Sequence, residues 1–391
     1  MVQADKLSKP PKPNQQRKQV KQEKQEKQQQ PQLDEQPPKQ SQKLPPQETI
    51  GVVREFQIVN GQLNPLLMKV GLRMNSGTIT GSTQRCVAML LAIKQMVSDH
   101  VTPKKKDFSR SFDAALNMSV KFLRQCRPLS VSMVNAVAFI KLNLTKIPST
   151  VAEHEAREHM RNLIDNYITK GIDLAVKAIT KDGASKIDRE GEVILTYGNP
   201  LLVKNILHKA YMEGKNFHVI IVDARPRMVG KDLLKDLVSL GVQTTYIQIN
   251  AIAHIMNKVT KVFLGAHAML ANGYAMASIG SALIALVANS FNVPVLVCCE
   301  TFKFSEKALL DSFALTESGL SEDFFQTGNQ RKSDKENKDD SKKNKVALLN
   351  LSYDLTPPSF ISMVITEKGF LPCSSVTAVI RNNSRKIPEF Q

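Results

Sequence analysis

The chain has 391 residues, 42% of them hydrophobic, 23% charged, with a formal net charge of +17, a composition that can bury one or two cores and excludes a wholly disordered chain. No stretch reaches the roughly 18 to 20 consecutive apolar residues of a membrane span, and the first residues are rich in Lys, Gln and Pro rather than forming a signal peptide's apolar core. The expected location is therefore cytoplasmic, with no membrane partner.

Five cysteines, Cys86, Cys126, Cys298, Cys299 and Cys373, are odd in number and lack C-x-x-C spacing, which argues against a disulfide framework and against a zinc site. They read as reduced core thiols, and no metal or cofactor is implied. The basic balance favours acidic partners. Much of it lies in Lys-rich segments at 18–27, 104–106 and 342–343, where no aromatic residues interleave as they do on base-stacking surfaces, so nucleic acid is not the favoured partner.

In chain order, residues 1–49 are dominated by Lys, Gln and Pro, with almost no apolar side chains to offset the entropy of ordering, and are expected to form a disordered arm. From 50 to 189 the apolar residues take up helical spacing and predict an all-helical N-terminal domain. Its helices are predicted over 65–74, 82–100, 110–124, 130–143 and 151–179; in the second, Cys86, Met89, Leu90, Ile93 and Met96 repeat at three- and four-residue steps.

From 190 to 391 the period alternates. Strands are predicted over 193–196, 219–223, 244–249, 261–264, 293–299 and 376–380, and helices over 201–212, 231–240, 252–258, 281–290 and 359–367. Such alternation predicts an α/β fold, with a Rossmann-like doubly wound parallel sheet following the helical domain. Cys298 and Cys299 fall in one strand run, where successive side chains face opposite sides of a sheet. The charged and small polar stretch 321–345 is expected to be a loop insertion before a final strand and helix.

Ligands of such sheets sit outside the strand C-termini, here at Gly198, Ala224-Arg225-Pro226, Asn250 and the stretch 266–273. The most informative of these loops is the first. The apolar strand 193–196 is followed by Gly198-Asn199-Pro200 and the helix 201–212, an arrangement whose backbone N–H groups make an anion site. A nucleophile or acid would sit at its tip in an enzyme, and this chain offers only glycine, asparagine and proline.

Several strings in these loops occur together and in order: Thr80-Gly81-Ser82, Cys126-Arg127-Pro128-Leu129-Ser130, Val222-Asp223-Ala224-Arg225-Pro226, Leu264-Gly265-Ala266-His267-Ala268, Ala271-Asn272-Gly273, Tyr353-Asp354-Leu355-Thr356-Pro357-Pro358 and Pro372-Cys373-Ser374-Ser375. Through them the chain resembles the family that joins the alpha, beta and delta regulatory subunits of eukaryotic translation initiation factor 2B to the methylthioribose-1-phosphate and ribose-1,5-bisphosphate isomerases. The Cys-Arg-Pro-Leu-Ser and closing Pro-Cys-Ser-Ser strings resemble the delta branch.

The isomerase members move protons between sugar carbons with a Cys in the first loop and an Asp in a Gly-Ala-Asp loop, while Arg and loop amides hold phosphate. The corresponding positions here are Gly198 and His267, and a second acidic position is Tyr274. Gly198 can act as neither acid nor base, so the resemblance implies no catalytic residue. It leaves a vestigial phosphate cleft of Gly198, Asn199, Arg225, Lys231, His267 and Asn272, with Gly230 beside it. His267, among Ala266, Ala268 and Met269, reads more readily as a packed, hydrogen-bonded histidine than as a substitute acid. Arg225 is open to two readings, a phosphate ligand or an ion pair with Asp223.

The resemblance implies a non-catalytic regulatory subunit of a guanine nucleotide exchange factor, assembled with alpha, beta, gamma and epsilon subunits of initiation factor 2B and sensing phosphorylation of the alpha subunit of initiation factor 2. The alternative is a sugar-phosphate binding protein or residual isomerase on the same sheet. Leu348, Leu349 and Leu351 are expected to be exposed, and since the family pairs its members through the sheet domain, Leu349 and Leu351 are candidate interface residues. For factor 2, the resemblance points to the end of the long helix, where Lys177 and Lys181 share a face four residues apart and Lys186 follows.

Overall fold

The computed structural model describes residues 64–310, 317 and 349–385, apart from 105, 149 and 189. The expected arm, the insertion at 321–345 and Leu348 lie outside the described residues. Those described all belong to one compact unit, Pro45–Gln391.

The helical half begins with α1 (Pro65–Asn75), where Asn64 accepts from Leu66 N at 3.0 Å and proline occupies the first turn, both ways of settling N–H groups that a helix start leaves unbonded. It continues with α2 (Ser82–Asp99), α3 (Phe108–Cys126) and α4 (Val131–Thr145), the last capped by Ser130. Their apolar stripes converge on Leu90, Ile93, Phe112, Leu116, Phe122, Met133 and Ile140, all fully buried. The single helix predicted over 151–179 is a longer rod: α5 (Glu153–Asn166), a π-helical segment (Tyr167–Asp173) and α6 (Leu174–Ser185).

The sheet half contains β1 (Glu192–Tyr197), α7 (Leu201–Met212), β2 (Phe217–Asp223), α8 (Gly230–Leu240), β3 (Gln243–Gln248), the short α9 (Ile252–Ile255), β4 (Lys261–Gly265), β5 (Ala268–Leu270), β6 (Ala275–Ser278), α10 (Ser281–Ser290), β7 (Val295–Cys298), β8 (Phe304–Ser305), β9 (Tyr353–Thr356), β10 (Met363–Thr366), β11 (Gly369–Leu371) and α11 (Val376–Arg385). The main sheet has seven strands in the order β11-β10-β7-β4-β1-β2-β3. Its inner strands β1, β2, β4 and β7 are mostly apolar because both faces are covered. Ile194, Ile221, Phe263 and Cys298 point into one core with α6, α7 and α8. Leu195, Ile220, Val262 and Cys299 point into the other with α10 and α11. The opposite orientation expected of Cys298 and Cys299 is therefore observed.

Three expectations are corrected. The main sheet is not wholly parallel, since β11 runs antiparallel to β10. A second sheet, ordered β8-β5-β6-β9, occupies the stretch read as a loop at 266–273 and its neighbours; strands of two to four residues are too short to show a period. The last two elements are exchanged: 359–367 holds β10 rather than a helix, and 376–380 opens α11 rather than a strand. Val376, Val379 and Ile380 already stand at helical spacing, whereas β10 owes its conformation to pairing with β7, Val364 opposite Val297. A short apolar run is settled by its neighbours.

Candidate functional site

The chain leaves β1 toward β2 and β3, then returns to place β4 on the other side of β1. This reversal of strand order beside β1 is the switch point at which an α/β sheet opens a ligand crevice. Gly198 follows β1 with φ of +66°, its N–H donating to Val222 O at 2.9 Å. That left-handed backbone favours glycine, and an added Cβ would stand 3.3 Å from Val229 Cγ2. Across the crevice, a Cβ on Gly265 would lie 2.6 Å from Pro200 Cβ, so the two loops are in direct contact. The crevice is narrow where chemistry would occur, and the residue facing it after β1 has no side chain.

The adjoining loop, between β2 and α8, is organised by Asp223. Its Oδ1 accepts from Ala224 N at 2.9 Å, and its Oδ2 accepts from Gly230 N at 2.8 Å and from the Tyr246 hydroxyl at 2.9 Å. The ion pair read as one option for Arg225 is not formed, because these nearer donors already occupy the carboxylate. Arg225, Lys231 and Asn199 are exposed instead.

His267, after β4, packs as expected. Its backbone N–H donates to Met276 O at 2.7 Å and its ring centroid lies 4.3 Å from that of Tyr353. Burial, followed by the charges of Arg85, Lys303 and Arg127, pushes its pKa down to about 3. The imidazole is therefore neutral near neutrality and is not available there as an imidazolium acid. Asn272 turns away from the crevice to donate to Leu309 O at 2.7 Å, and Tyr274 lies part-buried in the turn joining β5 to β6. Of the six predicted cleft residues, Gly198 and His267 follow neighbouring strands, Arg225, Lys231 and Asn199 are exposed, and Asn272 lies in the turn between β5 and β6.

A buried ionic layer between the helical half and the sheets escaped sequence reasoning. Arg85 of α2 is fully buried; its Nη1 donates to Pro128 O at 3.2 Å, and its Nε finds no hydrogen-bond partner among the described residues. Arg127, after α3, pairs with Glu317. Lys303 pairs with Glu300 at 2.7 Å, and Thr83 donates to the same carboxylate at 3.2 Å. One signal was present: Arg85 stands in register with the apolar stripe of α2, four residues before Met89 and eight before Ile93. An arginine on a buried face needs partners.

On α6, Lys177 and Lys181 are exposed, while Lys186 is drawn inward with its Nζ 4.0 Å from the Phe370 ring centroid. Leu349 is 60% exposed and Leu351 is part-buried. Among the described residues no group of three or more His, Cys, Asp and Glu could hold a metal ion, and no helix is long and apolar enough to cross a membrane.

The Initiation factor 2 subunit family matches over residues 78–373. The chain is 38% identical over 326 residues to the translation initiation factor eIF2B subunit delta of Dictyostelium discoideum, covering 83% of this chain and 52% of that protein, so it spans about half the length of that relative. It is 31% identical over 293 residues to the ribose 1,5-bisphosphate isomerase of Pyrococcus furiosus, covering 75% of this chain and 85% of that one. Among solved structures, a chain of the tetrameric eIF2B-beta2-delta2 complex from C. thermophilum is similar with a TM-score of 0.70 and 30% identity, covering 78% of this chain and 92% of that chain. The delta-type resemblance and the order of a helical part followed by an α/β sheet are both borne out.

Proposed function

Since the chain belongs to the Initiation factor 2 subunit family, we propose that it is a non-catalytic regulatory subunit of the guanine nucleotide exchange factor for translation initiation factor 2. In that role it assembles with alpha, beta, gamma and epsilon subunits and takes part in the response to the phosphorylated alpha subunit of factor 2. The observation that carries the reading is Gly198, a residue without a side chain, in a left-handed turn, at the tip of the crevice. Isomerising a sugar phosphate requires a group that takes and returns a proton within hydrogen-bond reach of the substrate carbon. Gly198 has none, and the neutral His267 is packed on Tyr353. The cytoplasm, as the site of translation initiation, is the location this role requires.

The helical half supplies the candidate surface for factor 2. Lys177 and Lys181 project from one face of α6, and a phosphoserine on the partner brings a charge of about −1.5 to −2. Lys186, held against Phe370, is a weaker candidate. Charge reversal at both exposed lysines (Lys177→Glu with Lys181→Glu) is expected to weaken binding of phosphorylated factor 2 severalfold and leave subunit assembly intact. Unchanged affinity for both forms of factor 2 moves the contact to another face.

A second reading, sugar-phosphate binding on the same sheet, is favoured by the likeness to the isomerase and by the exposed Arg225 and Lys231 beside the crevice. A pull-down for the other exchange-factor subunits, combined with isothermal titration of ribose phosphates, separates the two. Capture of those subunits without heat from ribose phosphates is the expected result; the reverse would make the chain a metabolite-binding protein.

A further inference from the structure

The loop that joins α2 to α3 carries a Lys run, 104–106, that the sites above leave without a role. In sequence it reads His100-Val101-Thr102-Pro103-Lys104-Lys105-Lys106-Asp107. Thr-Pro occurs twice in the chain, here and at Thr356-Pro357. Thr356 is buried in β9, whereas Val101, Pro103, Lys104 and Lys106 stand exposed around a half-buried Thr102. The loop is anchored at its ends, where His100 packs edge-on against Phe108 and Phe112, and is closed by a turn in which Lys106 N donates to Pro103 O at 3.1 Å. The Thr102 hydroxyl donates to Glu153 Oε1 at 2.7 Å, at the start of α5, and Glu153 pairs with Arg157 one turn on. Arg157 in turn reaches the end of α2, donating from Nη1 to Ser98 O at 3.0 Å and from Nη2 to His100 O, with its guanidinium over the Phe108 ring. The Thr102 hydroxyl and Arg157 together hold the Glu153 carboxyl below the usual carboxylate range.

We propose that Thr102 is a phosphorylation site for a proline-directed protein kinase, and that its phosphate takes Arg157 from Glu153. A proline after the target has no backbone N–H and fits an apolar kinase pocket, while the lysines that follow complement an acidic one. In the transfer, Thr102 Oγ1 attacks the γ-phosphorus of a nucleoside triphosphate, the bond to the diphosphate breaks, and the hydroxyl proton passes to the catalytic base of the kinase. The product has lost the donor that bonded Glu153 and has gained a charge of about −1.5 to −2 with three acceptor oxygens. Like charges then face each other across the former 2.7 Å contact, and Arg157, bonded to that same carboxylate, is within reach of the phosphate. A guanidinium grips phosphate with two parallel bonds, and the more highly charged anion wins it. The tie between the loop and α5 passes from hydroxyl and carboxylate to phosphate and guanidinium. Helix α5 opens the rod that ends in α6, so the modification acts at the opposite end of the rod from Lys177 and Lys181. The site does not depend on the subunit reading above.

The test incubates the full chain with a proline-directed kinase and magnesium ATP. Intact mass and peptide mapping should show one phosphate, on Thr102, with the buried Thr356 unmodified. Thr102→Val should cut incorporation at least tenfold with an unchanged circular dichroism spectrum. A synthetic peptide of residues 97–108 is the control for the kinase, and modification of the peptide but not of the folded chain, or of neither, overturns the site. Phosphorus NMR then reads the pairing. The phosphothreonine of the folded chain should titrate below its ordinary value of about 6, and Arg157→Gln should return it to about 6. Glu153→Gln, which removes the competing carboxylate at an exposed position, should lower it further and keeps the pairing testable if Arg157→Gln disturbs folding. A phosphate that titrates at about 6 in wild type and in both variants overturns the exchange with Arg157.

Discussion

The helical half meets the sheet half through two contacts of opposite character. At one, α6 lies so close to α7 that a Cβ on Gly183 would stand 2.4 Å from Ile206 Cδ1, and Ile179, Ala184 and Ile187 share a core with Ile206 and Leu207. At the other, Arg85, Arg127, Glu300, Lys303 and Glu317 are drawn together out of water, and Asn135 donates to Phe302 O at 2.9 Å and Phe304 O at 2.8 Å. The dry contact is held by shape and depends on the absence of one side chain. The ionic contact depends on every charge keeping its partner, because desolvation offsets much of the attraction and an orphaned buried ion is worse than none.

The largest effect is expected from breaking the ionic contact. Arg127→Ala leaves the Glu317 carboxylate without its cation beside Arg85 and should lower unfolding free energy by about 3–5 kcal/mol in a urea titration. A loss under about 1 kcal/mol, the range of exposed pairs, would mean that the layer is hydrated and contributes little. Gly183→Val attacks the dry contact. Its methyl groups must displace Ile206, and the cost should be about 1–3 kcal/mol. Pairing this substitution with Ile206→Ala should recover part of the loss; no recovery would place the damage elsewhere.

A third test sharpens the comparison through pH. His267 borders the ionic layer, and its folded pKa of about 3 lies below its ordinary value of 6.5. The unfolded chain therefore binds the proton first as pH falls. The contribution is complete above pH 6.5 and is lost on descending toward 3, with a slope of at most about 1.4 kcal/mol per pH unit. Carboxylates titrate in the same window, so the readout is the difference from His267→Gln. Wild type should lose more stability than the variant between pH 7 and pH 4. Parallel curves would show that His267 is not held neutral by burial and the neighbouring cations. The dry contact joins Gly183 to the apolar Ile206, and the Gly183→Val loss should be the same at both pH values.

What could be read from residue order was whatever a single element decides for itself. The helices predicted over 201–212 and 281–290 coincide with α7 and α10, because apolar residues three and four apart are a local property. Gly198 could be recognised as chemically empty without coordinates, since a missing side chain stays missing in any fold. Arg127 was visible as part of a string, but its partner Glu317 stands 190 residues away, and no local pattern links them. The β8-β5-β6-β9 sheet, the exchange of strand and helix after 358, and the exposure of Leu283 and Leu286 on α10 are likewise products of the tertiary structure. Each depends on which distant segment lies alongside: pairing with β7 makes β10 a strand, and the sheet core buries Ile284, Ala285 and Ala288 of α10 while Leu283 and Leu286 stay exposed.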